Sequence, residues 1–251
     1  WVLKALNQIE QREFPALLLR IDSPGGTVGD SQEIHAALLR LKDKGCHVVT
    51  SFGNISASGG VDVGVAADKI VANPGTITGS IGVILRGNNL SKLLERIGVR
   101  FETIKSGPFK DILSPDRALS SEEREVLQSL IDSSYSQFVN AIAEGRKLSD
   151  QDVISFADGR VFSGAQAKDL GLVDELGDEE QAKQILSKMA NLDETNIRPV
   201  NFDPPKKKLA GLIPGAEVIS NLFELISFEV ANAGQILWLF KPCTSPTIKG
   251  Y

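Results

Sequence analysis

A serine and a lysine can hydrolyse a peptide together without any histidine, and this chain carries such a pair at Ser58 and Lys110, 52 residues apart. Ser58 lies in Gly53-Asn54-Ile55-Ser56-Ala57-Ser58-Gly59-Gly60, a small-residue turn between an apolar run and a helical pattern. Lys110 lies in Lys105-Ser106-Gly107-Pro108-Phe109-Lys110-Asp111-Ile112, a Gly/Pro loop after another apolar run. Both are loop positions, where binding and catalytic residues concentrate. A serine hydroxyl is a poor nucleophile at neutral pH and needs a group to take its proton. Histidine is the usual acceptor, but His35 and His47 both precede Ser58, one within a predicted helix and the other at the start of a predicted strand. Lysine serves when it is neutral, which requires its pKa to fall from about 10.4 toward neutrality through desolvation or neighbouring charge. Pro108, Phe109 and Ile112 offer Lys110 an apolar setting, whereas Asp111 would favour the ammonium unless its side chain projects elsewhere.

Attack on a peptide carbonyl builds an oxyanion, which needs fixed donors about 3 Å away. Glycines let backbone N–H groups approach a ligand unobstructed, and Gly25-Gly26, just after the first apolar run, meets that need. Paired glycines also make ordinary turns. Their value here lies in standing opposite the Ser58 turn.

Arg20-Ile21-Asp22-Ser23-Pro24-Gly25-Gly26, Asn54 to Gly60, Ala66-Ala67-Asp68-Lys69-Ile70-Val71-Ala72-Asn73-Pro74, Thr78-Gly79-Ser80-Ile81-Gly82-Val83 and Lys105 to Ile112 succeed one another in an order that resembles the signal peptide peptidase A family, also called protease IV. The resemblance runs from the first residues to about Gly177. It implies Ser58 as nucleophile, Lys110 as general base, and Ser80 as the additional serine whose hydroxyl holds the amine toward the nucleophile. It also implies a backbone oxyanion donor best matched to Gly25, with Gly59 as the second. Substrate would add as an extended strand beside Gly25 to Val28 and Ile81 to Ile84, meeting Gly26, Thr27, Val28, Ile81, Gly82 and Val83. The implied fold is the α/β spiral of Clp peptidases and crotonases, with a mainly parallel sheet and a C-terminal helical extension. The implied substrates are membrane-derived peptides such as remnant signal peptides, and the implied assembly is a homo-oligomer in which one subunit's serine meets its neighbour's lysine.

One departure stands out. Many members carry aromatic residues after the paired glycines, where this chain has Val61-Asp62-Val63. On a helix opening at Ser58, Asp62 lies one turn along the same face. It reads as a surface carboxylate, with effects on Lys110 or on a subunit contact as the alternatives. Two other function classes stay open: a crotonase-like acyl-CoA enzyme, which needs acidic catalytic residues and a CoA surface, and a catalytically impaired protease-like scaffold.

The elements that must position these residues alternate. Apolar runs at Ala16 to Ile21, Cys46 to Phe52, Lys69 to Ala72 and Val99 to Lys105 read as strands, the first buried on both faces. Helical spacing marks Val2 to Ile9, Val28 to Lys44, Ser58 to Ala67, Leu90 to Ile97 and Glu179 to Leu192. Ser120-Ser121-Glu122-Glu123 is a capping-box signature opening a long helix through Leu127, Leu130, Ile131, Phe138 and Ile142, and Ser163-Gly164-Ala165-Gln166 opens a short one. Strand and helix in alternation indicate parallel pairing through right-handed crossovers. Residues 1–202 form the expected peptidase domain, 203–208 a linker and 209–251 an apolar extension, suited to packing on a partner or lying on a membrane.

A net charge of -5 excludes a nucleic-acid surface as the main partner, and Lys206-Lys207-Lys208 is too short to alter that. Cys46 and Cys243 make neither a disulfide framework nor a zinc site, and no metal or nucleotide motif is present, so no cofactor is expected. No run reaches 18 uninterrupted apolar residues. The helical pattern begins at once with Trp1-Val2-Leu3, where the family usually has a preceding strand and often a membrane anchor. A fragment or processed form of a membrane-associated protein is therefore expected.

Overall fold

The computed structural model describes residues 1–192, 199–202 and 236–237, so the expected linker and most of the expected extension lie outside the described residues. Those of Trp1–Gly82 and Ser136–Pro205 form one compact unit, and those of Val83–Tyr135 belong to another. Along the chain run α1 (Val2–Gln11), β1 (Ala16–Ser23), α2 (Val28–Asp43), β2 (His47–Ala57), α3 (Gly59–Val65), β3 (Lys69–Ala72) and β4 (Ile77–Gly79). Then come β5 (Ile84–Leu85), α4 (Ser91–Arg96), α5 (Ser121–Arg146), α6 (Asp150–Phe156), β6 (Val161–Ser163), α7 (Gly164–Asp169), β7 (Glu175–Leu176), α8 (Glu179–Met189) and β8 (Ile236–Leu237). The architecture is α/β with a mainly parallel sheet.

β2 is the hub of that sheet. One side pairs with β1 from Ala16↔His47 to Ser23↔Ser56, and the other takes first β3 over Val49 to Phe52 and then β4 over Ile55 to Ala57, all parallel. β7 extends the sheet beyond β3 in parallel, and β6 closes the β4 edge antiparallel. Paired on both sides, β2 is buried from Val48 to Gly53. β1, expected to be buried on both faces, is only half-buried, because among the described residues it pairs with β2 alone. Strand alternation separates two packing faces. Val49 and Val71 meet Ala182 and Leu186 of α8, while Phe52 turns its ring against Gly64 of α3.

The pairing of β1 with β2 breaks step between Ile21 and Ser23. Asp22 fills the irregularity: its Oδ1 accepts the Ile55 N–H at 3.1 Å and its Oδ2 accepts from Asn54 Nδ2 at 3.4 Å. A bulge of this kind bends a strand end and re-aims the chain beyond it. Beyond β1 that chain is the Gly25-Gly26 turn, and beyond β2 it is Ser58.

Helix starts obey local chemistry. Thr27 caps α2, accepting the Asp30 N–H at 3.4 Å. The expected capping box before α5 is present: Ser120 Oγ accepts the Glu123 N–H at 3.2 Å, and Glu123 Oε2 accepts the Ser120 N–H at 2.9 Å. Ser163 and Gln166 form the same reciprocal pair at α7. The expected strand from Val99 to Lys105 does not form. Its β-branched and aromatic residues lack the packed neighbours that give such residues their strand preference, and Phe101 is 59% and Ile104 102% exposed.

A Cβ added at Gly64 would lie 2.6 Å from the Phe52 ring. Gly64→Ala is therefore expected to cost about 1–3 kcal/mol in urea unfolding through overpacking. Because α3 is displaced, the variant should also react more slowly at Ser58 with a serine-directed phosphonate.

Candidate active site

Three parallel strands end side by side on one edge of the sheet. β1 ends at Ser23, β2 at Ala57 and β4 at Gly79, with β2 between the other two. The chain leaves them through Pro24-Gly25-Gly26, Ser58 and Ser80. The carboxyl edge of such strands is where open α/β sheets place ligands.

Ser58 sits at φ +53°, ψ −118°, a conformation that non-glycine residues avoid and that typically costs about 1–3 kcal/mol. Its backbone is tied on both sides. The N–H donates to the Gly79 carbonyl at 2.8 Å, and the carbonyl accepts from the Val61 and Asp62 N–H groups at 2.8 and 3.1 Å. Ser58 heads α3, yet its hydroxyl caps nothing and bonds to no described residue. Ser80 is strained in the same way at φ +52° and is held by its N–H to the Arg160 carbonyl at 2.7 Å. Since Ala57 and Gly79 are register partners, Ser58 and Ser80 leave adjacent strands at the same level.

Gly25 adopts φ +124°, which an L side chain rarely tolerates, and its N–H reaches Ser23 Oγ at 3.3 Å. That bond is long, so a charged acceptor would displace it with a shorter one. The N–H groups of Gly26 and Gly59 have no acceptor among the described residues. Thr27 and Val28 begin α2 beside this turn. Ile81 is fully buried and its carbonyl accepts the Gly159 N–H at 3.0 Å, whereas Gly82 and Val83 stay half-buried.

Lys110 belongs to the second unit, in a turn where its N–H donates to the Gly107 carbonyl at 3.3 Å. The expected apolar setting is not formed among the described residues. Lys110 is exposed, and the Phe109 ring turns outward with 42% of its surface accessible. Among the described residues the amine makes no hydrogen bond or ion pair. Asp111 does project elsewhere: its carboxylate binds Lys105 Nζ at 2.6 Å and Arg117 Nη2 at 2.7 Å.

Asp62 is not on the surface. It is 2% exposed, because its side chain turns toward α2, where Oδ1 lies 3.5 Å from His35 Nδ1. The same nitrogen lies 2.7 Å from the Asp62 carbonyl oxygen, which can only accept, so Nδ1 carries the proton. Oδ2 is buried without a partner among the described residues. Burial disfavours the charged His35, but hydrogen bonding to Asp62 and the charge of its carboxylate outweigh burial and the opposing Lys42, and its pKa is raised. His35 thus braces the helix that begins at Ser58. No spacing rule in the sequence pairs residues 35 and 62; the contact exists because α2 packs on α3.

The Peptidase family S49 profile matches residues 40–193, a span containing Ser58, Ser80 and Lys110. The chain belongs to peptidase family S49. Among its relatives, a Synechocystis protein named "Putative protease slr0021" is 52% identical over 249 residues, covering 96% of this chain and 90% of that protein. An Enterococcus faecium protein named "Putative signal peptide peptidase SppA" is 41% identical over 188 residues, 75% of this chain and 55% of its own length. A solved ClpP1 mutant from Listeria monocytogenes overlaps 72% of this chain and 84% of its own, with 21% identity and a TM-score of 0.49. As an S49 member the protein is a serine protease acting on peptide bonds, which does not favour the acyl-CoA or scaffold alternatives. No helix among the described residues is long and apolar enough to cross a membrane.

The raised pKa of His35 means that its contribution to stability is fully present below its unfolded value of about 6.5 and is lost as pH rises through the higher folded value. The stability difference between the protein and His35→Gln, measured by urea unfolding, should be larger at about pH 5.5 than at about pH 8.5. An equal difference at both would place the ion pair outside the stability of α3.

Proposed function

We propose that this S49 protease cleaves membrane-derived peptides, remnant signal peptides among them, with a Ser58–Lys110 dyad at sites shared between subunits of a homo-oligomer. The observation that carries the reading is Ser58 itself: a strained serine at a strand's carboxyl end, its hydroxyl unbonded, beside a helix N-terminus whose first N–H, that of Gly59, has no described acceptor. The name of the Enterococcus faecium relative supports the substrate class. Work at a membrane surface accords with that substrate class.

In this reading a neutral Lys110 amine takes the Ser58 hydroxyl proton as Oγ bonds to the peptide carbonyl carbon. Ser80 Oγ holds the amine in line. The oxyanion gathers the N–H groups of Gly59 and Gly25, the latter exchanging its long bond to Ser23. The ammonium then returns its proton to the leaving amine as the C–N bond breaks, and Lys110 deprotonates the water that hydrolyses the acyl-enzyme. Substrate lies extended along Gly26, Thr27, Val28, Gly82 and Val83, with Ile81 packed beneath.

Exposure of Lys110 supports the shared site, because a neutral amine requires desolvation and a neighbouring subunit packed over it would supply that. A surface suited to that contact is present. Leu93, Ile97, Phe101, Ile104 and Phe109 are 42% to 102% exposed within one stretch of the second unit, an apolar density that normally marks an interface.

Ser58→Ala should lower peptide hydrolysis at least about 10³-fold with unchanged thermal unfolding. Lys110→Met should do nearly the same and Lys110→Arg should not rescue, since a guanidinium stays protonated. Activity should rise with pH as the lysine loses its proton; a profile centred on histidine titration and abolished by changing His35 or His47 would overturn the dyad.

Replacing both Phe101 and Ile104 by Asp should dissociate the assembly in sedimentation velocity and abolish hydrolysis together. Mixing inactive Ser58→Ala subunits with inactive Lys110→Met subunits should restore part of the activity if one site draws on two chains. No recovery on mixing, with mixed assemblies confirmed, would remove the shared site.

A further inference from the structure

Beside Lys110, the second unit holds a four-charge cluster that the hydrolytic chemistry does not use. Arg117 grips Asp111 with Nε to Oδ2 at 3.1 Å and Nη2 to Oδ1 at 2.7 Å, and Nη2 also donates to the Asp111 carbonyl at 3.1 Å. The same guanidinium reaches across to α5, where Nη1 donates to Glu123 Oε2 at 2.7 Å and Nη2 to Oε1. Glu123 is 3% exposed and is itself fixed by the capping box. Lys105 Nζ completes the cluster on Asp111 Oδ1 at 2.6 Å and on the Pro108 carbonyl at 3.1 Å. One planar cation therefore bolts the loop to a buried carboxylate at a helix start, and the residue it grips is the one after Lys110.

We propose that Arg117 is a positioning residue for the lysine base, fixing the Lys110 loop on the start of α5 and holding the Asp111 carboxylate away from the amine. This rests on Lys110 being the base. The guanidinium has the geometry for the task, since its fork matches two carboxylates at once where an ammonium offers a single point charge. Hydrogen bonding to Arg117, then to Lys105, holds the Asp111 carboxyl well below the usual carboxylate range, and Arg117 brings Glu123 down to about 2. Both anions therefore persist across the working pH range, and losing Arg117 would leave the Asp111 carboxylate, next to the base, paired with Lys105 and free of the guanidinium fork. The charged side chains near the cluster include Lys105, Asp111, Asp116 and Arg117 of the loop, Glu122, Glu123 and Arg124 of α5, and Arg86, which lines the same cavity as Arg117 and Arg124. Of these, Asp111 adjoins Lys110 in the chain.

The test uses the full chain, a fluorogenic apolar peptide and a fluorophosphonate that labels Ser58. Arg117→Gln should keep the assembly and KM within about two-fold, lower kcat about 10- to 100-fold, and move the midpoints of kcat and of labelling up by about one pH unit. Asp111→Asn in that background should return the midpoint to its original place. Arg117→Lys should not. If Arg117→Gln fails to fold, Glu123→Gln, which releases one arm of the clamp, should shift the midpoint in the same direction by a smaller amount. A wild-type kcat and midpoint in Arg117→Gln, or a lower kcat whose midpoint neither moves nor responds to Asp111→Asn, would overturn the proposal. Lys110→Met is the separate control: full activity there removes the base assignment itself, whatever the Arg117 variants do.

Discussion

The hydrogen bond from the Ser58 N–H to the Gly79 carbonyl is the constraint on which the site depends. It extends the β2–β4 ladder one step past the last paired residues, so that a residue already turned out of the strand is still held by the sheet. The Val61 and Asp62 N–H groups grip the Ser58 carbonyl from the other side. Between the two, a conformation that would relax by itself becomes the only one available. The hydroxyl takes no part in that hold, which is made by backbone groups alone. Everything beneath serves that hold: β2 is rigid because it is paired on both sides and packed on α8 and α3, and α3 stays in place through Phe52 against Gly64 and His35 against Asp62.

The two halves of the proposed dyad are prepared differently. Ser58 is 6% exposed and over-determined by the sheet, whereas Lys110 stands on an exposed turn whose order comes from charges. Packing fixes a nucleophile without help from a partner. An exposed lysine is easily placed, but the neutral amine that the proposed reaction needs requires desolvation. The proposed assembly resolves the difference by adding desolvation last.

Much of this was legible in the sequence, and the residues show why. The strand expected over Cys46 to Phe52, the Ser120 and Ser163 caps and the helices after them arise from local rules, since caps and periodicity act within a few residues. The family resemblance picked out Ser58, Ser80 and Gly25, and the fold sets all three at adjoining strand ends. What local rules missed was non-local. β4, β6 and β7 are two or three residues long and carry no periodic signal; neighbours create them. Val99 to Lys105 has strand-forming residues without a partner edge, so propensity misled. Asp62 read as a surface residue because its burial depends on α2 crossing α3 with a histidine at the contact. The role of Arg117 was equally hidden, since its partners Asp111 and Glu123 lie six residues away on either side with a turn between them.

Ser80 is fixed by the carbonyl of Arg160, and the ring of Phe162 closes over Gly79. Seen through synthesis of the chain, that is a matter of timing. Ser58 leaves the ribosome about a hundred residues before the segment that locks its neighbour, and a β4–β6 ladder cannot form until that segment arrives. A growing chain is an unfolded polypeptide and therefore a good substrate for any protease. By drawing one wall of the site from residues 160–163, this fold delays the site's assembly until the strands that lead to Ser58 and Ser80 have all been made.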